Sequence, residues 1–341
     1  MFRLSKHCFL LYNTLQKGSV KMENRYASRI EKVQMSSIRV VMEKVEKLRS
    51  QGKSVVSLCA GEPDFNTPEG IKKATIEALN DNQTHYSSNR GYLGLRKKVA
   101  HLLKEQTTID YDSDTEIIMT CGCSEAINNV CQAFINKDDE VIIFTPAFVS
   151  YQNTVLLCQG IPVEIPLKLS LGFQIDIEEV KNKITKKTKM IILNNPNNPT
   201  GAVYQKETLE QLCKLARENN ILILADEIYN QLDYENQYVS IASFENMKDY
   251  TIIVNGFSKA YAWRMGYIAS SQKHIDQILK VHQYTTTSQM TFAQIGMANA
   301  IDQEDVKKEV QHMVDTFASR RTFIMEQLDQ CKNLFYIKPH G

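Results

Sequence analysis

The sequence NNPNNPTG, from Asn194 to Gly201, directly follows the short apolar run Met190 to Leu193. Asparagine-proline pairs stop a strand and favour tight turns, so the side-chain amides here are held at a strand end rather than in a solvated linker. A short apolar run bounded by such turns is typical of a strand buried in a sheet. The stretch therefore predicts a buried strand that ends in a loop, with Asn198 placed for contact.

Three further apolar runs are followed at once by residues suited to a binding site. They are Ile221 to Leu224, which precedes Asp226 and Tyr229; Thr251 to Val254, which precedes Gly256 and Lys259; and Glu140 to Phe144, which precedes Phe148. In an open α/β sheet the crevice lies outside the carboxyl ends of the strands. We therefore expect the polar and aromatic residues that follow these runs to meet Asn198 in one crevice.

The order of the elements predicts the fold class. From Glu116 onward, short apolar runs alternate with helical patterns such as Lys206 to Glu218. This alternation predicts an α/β protein with a three-layer, mostly parallel, doubly wound sheet. Apolar spacing predicts an amphipathic helix over Ser36 to Gln51, and Val55 to Leu58 reads as a short strand after it.

A smaller α+β lobe is predicted around this large domain. A long charged helix, Asp302 to Lys332, and a strand-like segment, Phe335 to Lys338, make a poor core by themselves, so we expect the C-terminal lobe to be incomplete at Gly341. The predicted division is an extension over 1–22, the N-terminal part of the small lobe over 23–60, a large domain with the crevice over 61–302, and the start of the C-terminal lobe over 303–341.

Composition excludes several classes of function. The 40 basic and 39 acidic residues leave a net charge of +1, which gives no field for nucleic acid or a membrane surface. No apolar run approaches the roughly 20 residues of a membrane span. The eight cysteines are scattered and contain no CxxC pair, so we expect reduced thiols, a cytoplasmic location and no metal site. Residues 1–22 are basic, which fits either a transit segment or a disordered extension before an alternative start at Met22.

Lys259 and Asp226 are the candidate reactive groups. A lysine in a partly dehydrated crevice has a lowered pKa, and its neutral amine can form a Schiff base with an aldehyde. The alternative is a solvated lysine, as most of the basic residues here must be. A carboxylate that closes the apolar run ILILAD needs a cationic partner or several donors, although Asp226 could instead cap a helix.

A pyridinium cofactor with an aldehyde would use these residues together. Its ring nitrogen needs an anion (Asp226), its phenolate oxygen needs donors (Tyr229 and Asn198), and its aldehyde needs an amine (Lys259). Phe148 could stack on the ring or belong to the core.

The phosphate of such a cofactor would lie at a helix start. The turn formed by Cys121, Gly122 and Cys123, between the strand Glu116 to Thr120 and the helix Glu125 to Phe134, offers backbone donors of that kind.

Five motifs occur in one order along the chain: AGEPDF at Ala60, THYSSNRGYLGLR at Thr84, NNPNNPTGAVY at Asn194, ADEIY at Ala225, and NGFSKAYA with WRMGY at Asn255 and Trp263. From about Met22 onward, the chain thereby resembles the fold-type I, class I/II pyridoxal-phosphate aminotransferases. The resemblance implies the cofactor pyridoxal 5'-phosphate and gives Lys259, Asp226, Asn198, Tyr229 and Phe148 the roles set out above.

The same resemblance implies several further assignments. Arg264 would bind the phosphate, Tyr86 would reach the phosphate of a neighbouring subunit, and Gly61 and Asn198 would contact substrate. It also implies a homodimer whose substrates are an amino acid and a 2-oxo acid.

Three departures from the family pattern carry expectations of their own. Cys121 and Cys123 stand where serine, threonine or lysine is frequent, and Gly256 stands where serine is frequent. About three residues are missing between Lys259 and Arg264, which predicts that Arg264 falls short of the phosphate. The family's arginine for the substrate α-carboxylate has no equivalent here, so we expect weak cofactor binding and poor transamination from this chain.

The leading functional prediction is an aminotransferase acting between an α-amino acid and a 2-oxo acid. A lyase of the same fold would use the same residues, so fold and cofactor do not separate the two. A catalytically impaired or incomplete aminotransferase is a further alternative. A dinucleotide-dependent dehydrogenase is excluded because no GxGxxG follows any of the predicted strands.

Overall fold

The computed structural model describes residues 26–58 and 61–341. The chain divides into two compact units, residues 1–34 and residues 35–341. The described part of the first unit contains one 3₁₀ turn, Ser28–Lys32, which has no buried residue. The predicted extension over residues 1–22 lies outside the described residues, as do Cys59 and the first residue of the AGEPDF motif, Ala60.

A seven-stranded sheet forms the centre of the second unit within its described residues. Its strands are β1 (Ile117–Thr120), β2 (Glu140–Thr145), β3 (Ile161–Pro166), β4 (Thr188–Asn194), β5 (Leu222–Asp226), β6 (Thr251–Gly256) and β7 (Gly266–Ala269). Their order across the sheet is β1-β7-β6-β5-β4-β2-β3. Strands β2 to β6 run parallel, while β7 runs antiparallel to both β6 and β1. The mostly parallel α/β prediction is confirmed.

Ten helices lie in the described residues, and all of them except the first, which has no residue described as buried, contribute to the clusters that cover the sheet. They are α1 (Ser37–Ser50), α2 (Glu69–Asn80), α3 (Leu93–Thr107), α4 (Gly122–Phe134), α5 (Ser150–Leu157), α6 (Ile177–Lys183), α7 (Lys206–Glu218), α8 (Gln272–Thr285), α9 (Thr291–Ala300) and α10 (Glu304–Asp329). Three 3₁₀ turns, Leu169–Leu171, Asn230–Leu232 and Ile241–Ser243, lie in the connections. No helix among the described residues is long and apolar enough to cross a membrane.

Alternate residues of the strands pack into different layers. On one face Ile143 and Val254 pack with α4 and α8. On the other face Ile142 and Leu193 pack with α6 and α7. Met119 belongs to a third cluster, formed with α2, α3, α9 and α10. Because both faces are buried, these strands read as continuous apolar runs in the sequence rather than as alternating ones.

Two predicted strands do not form. Val55–Leu58 has no regular structure, and its Val56 and Leu58 are 86% and 92% exposed. Phe335–Lys338 is also irregular, and the helix before it ends at Asp329 rather than Lys332. A strand requires a neighbour to complete its hydrogen bonds, and neither segment pairs with a strand among the described residues. The apolar pattern of each segment is compatible with a strand, but a local pattern does not show whether a neighbouring strand is present to pair with it.

Candidate active site

The carboxyl ends of the central strands open into a cavity of about 450 Å³. Sequence-predicted residues that line it are Gly61, Cys123, Phe148, Asn198, Asp226, Tyr229, Lys259 and Arg264. They come from the loops after β2, β4, β5 and β6, the first turn of α4, and the segment before α2. The predicted convergence of strand ends is confirmed. A volume of this size is typical of sites for small molecules and cofactors.

Asp226 closes β5 and is 3% exposed. Its Oδ2 accepts a hydrogen bond from the Tyr151 hydroxyl at 2.7 Å, and its Oδ1 accepts one from the Ile228 amide at 3.2 Å. No basic side chain among the described residues forms an ion pair with it. Burial therefore raises the pKa of Asp226 to about 6. A carboxylate held in this way favours a cationic ligand.

Lys259 lies in the hairpin loop that joins β6 to the antiparallel β7. Its Nζ donates to the Gly61 carbonyl at 2.6 Å and lies 5.6 Å from the centroid of the Tyr229 ring. Burial lowers the pKa of Lys259 below its ordinary range. The alternative of a freely solvated lysine is thus wrong, because the amine is partly buried and faces the cavity.

The NNPNNPTG loop is fastened to the neighbouring strand by asparagine side chains. Asn194 pairs with Asp226 across β4 and β5, and its Nδ2 donates to the Asp226 carbonyl at 3.0 Å. The Asn194 Oδ1 accepts from the Asn198 amide at 2.7 Å. The Asn198 side chain faces Tyr229, and its Nδ2 donates to the Tyr229 hydroxyl at 3.2 Å. The Asn198 amide and the Tyr229 hydroxyl therefore lie together at one wall of the cavity.

Arg264 and the start of α4 form the other end of the cavity. Arg264 Nη1 donates to the Ser258 hydroxyl at 2.5 Å. Gly122 has φ of 76°, and a Cβ at this position would lie 2.9 Å from Arg264 Nη2. Any side chain at residue 122 would therefore push the guanidinium away. The short spacing after Lys259 thus leaves the Arg264 guanidinium beside this turn, while its reach to a bound phosphate stays a prediction.

A tight turn accommodates the short spacing. The Phe257 amide donates to the Met265 carbonyl at 2.9 Å, and the Trp263 amide donates to the Phe257 carbonyl at 3.1 Å. Ala262 adopts the left-handed conformation with φ of 48°, which is uncommon for a residue with a Cβ. The Thr67 hydroxyl donates to the Ala262 carbonyl at 3.0 Å and holds the turn.

Three sequence-predicted residues, Cys121, Gly122 and Tyr86, are not part of the cavity lining. The Cys121 thiol is exposed, and the Cys121 amide already donates to Glu125 Oε2 at 2.6 Å. The Tyr86 side chain is 87% exposed. Gly122 contributes through its closeness to Arg264 rather than as a lining residue. The Cys123 thiol does line the cavity, and burial raises its pKa well above the ordinary range.

Three residues that the sequence analysis gave no role in the site support it. Tyr151 binds Asp226, and its ring meets that of Phe148 edge-on at 5.7 Å. Ser258 holds Arg264, and Asn194 orients the loop. No local pattern marks Tyr151, because its bond to Asp226 joins segments that are 75 residues apart in the chain. The described residues contain no group of three or more histidine, cysteine or acidic residues that could hold a metal.

Comparison with known proteins gives concordant matches. The family model for aminotransferases of class I and II matches residues 53–341. A probable aspartate/prephenate aminotransferase of Aquifex aeolicus is 35% identical over 325 residues, which are 94% of this chain and 82% of that protein. The aromatic-amino-acid aminotransferase 2 of Thermococcus litoralis is 37% identical, over 92% of this chain and 81% of that protein.

A solved structure agrees with these relatives. The aspartate aminotransferase of Thermus thermophilus, determined with maleate, superposes with a TM-score of 0.89 at 35% identity, over 94% of this chain and 84% of that one. Fold and cavity thus define a fold-type I pyridoxal-phosphate enzyme. The chain belongs to the class I and II aminotransferases. It is a pyridoxal-phosphate-dependent aminotransferase, which exchanges an amino group between an α-amino acid and a 2-oxo acid.

The cavity residues fit this cofactor. The buried Asp226 carboxylate lacks a cation among the described residues, and a protonated pyridine nitrogen would supply one. A guanidinium and the first turn of a helix lie together at the other end, as a phosphate requires. The only lysine in the lining of the described cavity is the partly buried Lys259.

Proposed function

We propose that the cavity holds pyridoxal phosphate, with the Lys259 amine as its covalent attachment point and as the group that moves the substrate α-proton. The observation that carries this proposal is the presence, in one cavity, of a partly buried lysine and a buried carboxylate that forms no ion pair with any of the described residues. A lysine with a lowered pKa supplies the neutral amine that both tasks require.

The remaining side chains bind and orient the cofactor and the substrate. When bound, the cofactor stabilises the negative charge that develops on the substrate α-carbon. Asp226 keeps the pyridine nitrogen protonated, and Tyr151 holds the Asp226 carboxylate in place. The Asn198 and Tyr229 pair donates to the ring oxygen, and Phe148 lies against the ring. Lys259, once released, takes the α-proton as a general base and returns it at the next step.

Arg264 and the amides of Gly122 and Cys123 bind the phosphate. Cys121 has no amide available for this task, because its N–H is bound to Glu125. Gly61 and Asn198 line both the cofactor cavity and the space beside it, which supports their contact with substrate.

The assembly and location are part of the same proposal. We expect a homodimer in which Tyr86, exposed in the single chain, reaches the phosphate bound by its partner. The six cysteines in the described part of the chain are free thiols, which supports a reducing, cytoplasmic location.

Borohydride trapping tests the role of Lys259. Purified protein incubated with pyridoxal phosphate and then reduced should carry one covalent cofactor, and Lys259→Ala should carry none. Lys189→Ala is the matched control, because Lys189 is an exposed lysine on β4. Mass spectrometry of the intact protein reads the result. An undiminished adduct in Lys259→Ala would reject the assignment.

A further inference from the structure

Residues 84–92, which we name the Tyr86 loop, lie between α2 and α3. The Tyr86 side chain at the tip of this loop is 87% exposed, so packing within its own chain does not set its direction. Its position therefore depends on how firmly the backbone of the loop is held.

Both neighbours of Tyr86 are bonded to the first turn of α9. The Thr291 hydroxyl donates to the His85 carbonyl at 2.6 Å. Gln294 Nε2 donates to the Ser87 hydroxyl at 3.3 Å. These two bonds lie one residue before and one residue after Tyr86, so they hold the chain on each side of it.

Gln294 is itself fixed by a buried network. Its side chain is 0% exposed. Its Nε2 also donates to the Gln289 carbonyl at 2.7 Å, and its Oε1 accepts from the Tyr92 amide at 2.7 Å. A buried amide that turned away from these partners would leave its polar groups without hydrogen bonds, which is unfavourable. Gln294 therefore keeps one orientation and binds the Tyr86 loop at both Ser87 and Tyr92.

The same network reaches the turn at residues 121–123, to which we assigned the phosphate. Gln289 is 3% exposed, and its Nε2 donates to the Thr120 carbonyl at 3.1 Å. Thr120 Oγ1 in turn donates to the Gly122 carbonyl at 3.1 Å. One set of buried hydrogen bonds thus holds both this turn and the Tyr86 loop.

We infer that Gln294 and Thr291 are positioning residues for the cofactor phosphate, because they hold the Tyr86 loop in the conformation in which Tyr86 meets a phosphate bound by a second copy of the chain. The inference rests on the proposed function, which gives Tyr86 that contact. Neither residue lines the cofactor cavity, so both act through Tyr86. A donor on a loop that is already ordered loses less conformational freedom on binding, and it therefore contributes more to affinity.

The test removes the two bonds beside Tyr86 by combining Ser87→Ala with Thr291→Val. Both side chains are partly exposed, and Gln294 keeps its bonds to Gln289 and Tyr92, so the core is preserved. Fluorescence titration of the cofactor-free full chain measures the affinity for pyridoxal phosphate and for pyridoxal, which lacks the phosphate. We expect the first affinity to fall about fivefold and the second to stay unchanged.

Thr316→Val is the matched control. It also removes a threonine hydroxyl that donates to a backbone carbonyl, that of His312, but on an exposed part of α10. It should change neither affinity.

A double-mutant cycle with Tyr86→Phe separates positioning from a general effect on the fold. Tyr86→Phe removes the hydroxyl that the loop is inferred to present. In that background the Ser87→Ala and Thr291→Val changes should cause no further loss of affinity for pyridoxal phosphate. Sedimentation of each variant checks that its assembly is the same as that of the wild type.

Three results would overturn the inference because the two bonds would then support the fold or the assembly in general. They are a loss of the same size in the Tyr86→Phe background, an equal loss for pyridoxal, and a changed assembly of the loop variant. Full affinity of the loop variant, with Tyr86→Phe weakened, also overturns the inference and leaves the proposed function in place. Full affinity of Tyr86→Phe overturns the proposed role of Tyr86, and the inference with it.

Discussion

Asp226 is a buried carboxylate whose pKa is raised by burial, and a cationic ligand would stabilise its charged form. Its carboxylate is buried with hydroxyl and amide donors but without a cation among the described residues, and its pKa is raised from 3.8 to about 6. The unfolded chain therefore loses this proton at lower pH than the folded one. Stability of the cofactor-free protein falls as pH rises from about 4 to 6, and the loss is complete above pH 6.

Asp226→Asn should accordingly stabilise the cofactor-free protein. At pH 8 we expect a gain of about 3 kcal/mol in the free energy of unfolding, because a shift of about two pKa units is removed. The gain should be smaller at pH 5. Urea unfolding at the two pH values measures it. In the presence of pyridoxal phosphate the variant should gain less stability than the wild type does, and a variant less stable than wild type at pH 8 without cofactor would contradict this view of Asp226.

The first turn of α4 is the proposed phosphate-binding element. The buried pair Glu125 and His282 holds this turn in place. Glu125 accepts from the Cys121 amide at 2.6 Å and from His282 Nδ1 of α8 at 2.8 Å. The side chains of Glu125 and His282 are 9% and 0% exposed. Asn129 joins them, with its Nδ2 3.1 Å from Glu125 Oε1. Glu125 therefore links the turn to a second helix.

Glu125→Ala should loosen this turn. Removing one partner of a buried pair typically costs about 3 kcal/mol or more in the free energy of unfolding. Affinity for pyridoxal phosphate should fall more than affinity for pyridoxal, which lacks the phosphate. Gln132→Ala is the control, because Gln132 is exposed on the same helix and its side chain donates to Asn128, away from the turn. Equal losses of affinity for both forms of the cofactor would mean that Glu125 supports the fold in general rather than this turn.

The sequence predicted elements and strand ends well, because each central strand and helix carries its own pattern of apolar residues. Lys206 to Glu218 is a helix with the predicted bounds. The failures concern contacts between distant segments. Val55 to Leu58 needs a strand partner that no local pattern reveals, and Tyr151 reaches Asp226 only because β2 and β5 lie in one sheet. Arg264 reaches α4 through a turn whose left-handed Ala262 could not be read from spacing.

At the scale of the whole molecule, the division into a large domain and a smaller lobe stays a prediction.

The proposed homodimer explains why the Tyr86 side chain is exposed in the single chain. Sedimentation should give twice the chain mass of 39.0 kDa. Tyr86→Phe should weaken pyridoxal phosphate binding about tenfold, since a hydrogen bond to a charged group is lost. A monomer that retains the cofactor with full affinity would contradict the proposed role.

Amino transfer between two substrates is the reaction that Lys259 is proposed to carry out, and both of its products can be measured. Protein loaded with pyridoxal phosphate is given L-phenylalanine and pyruvate, and both products are followed by chromatography. We expect phenylpyruvate and alanine to form in equal amounts, and Lys259→Ala to form neither above the level of free cofactor. Loaded wild-type protein that makes no alanine, or Lys259→Ala that makes as much as the wild type, would contradict it.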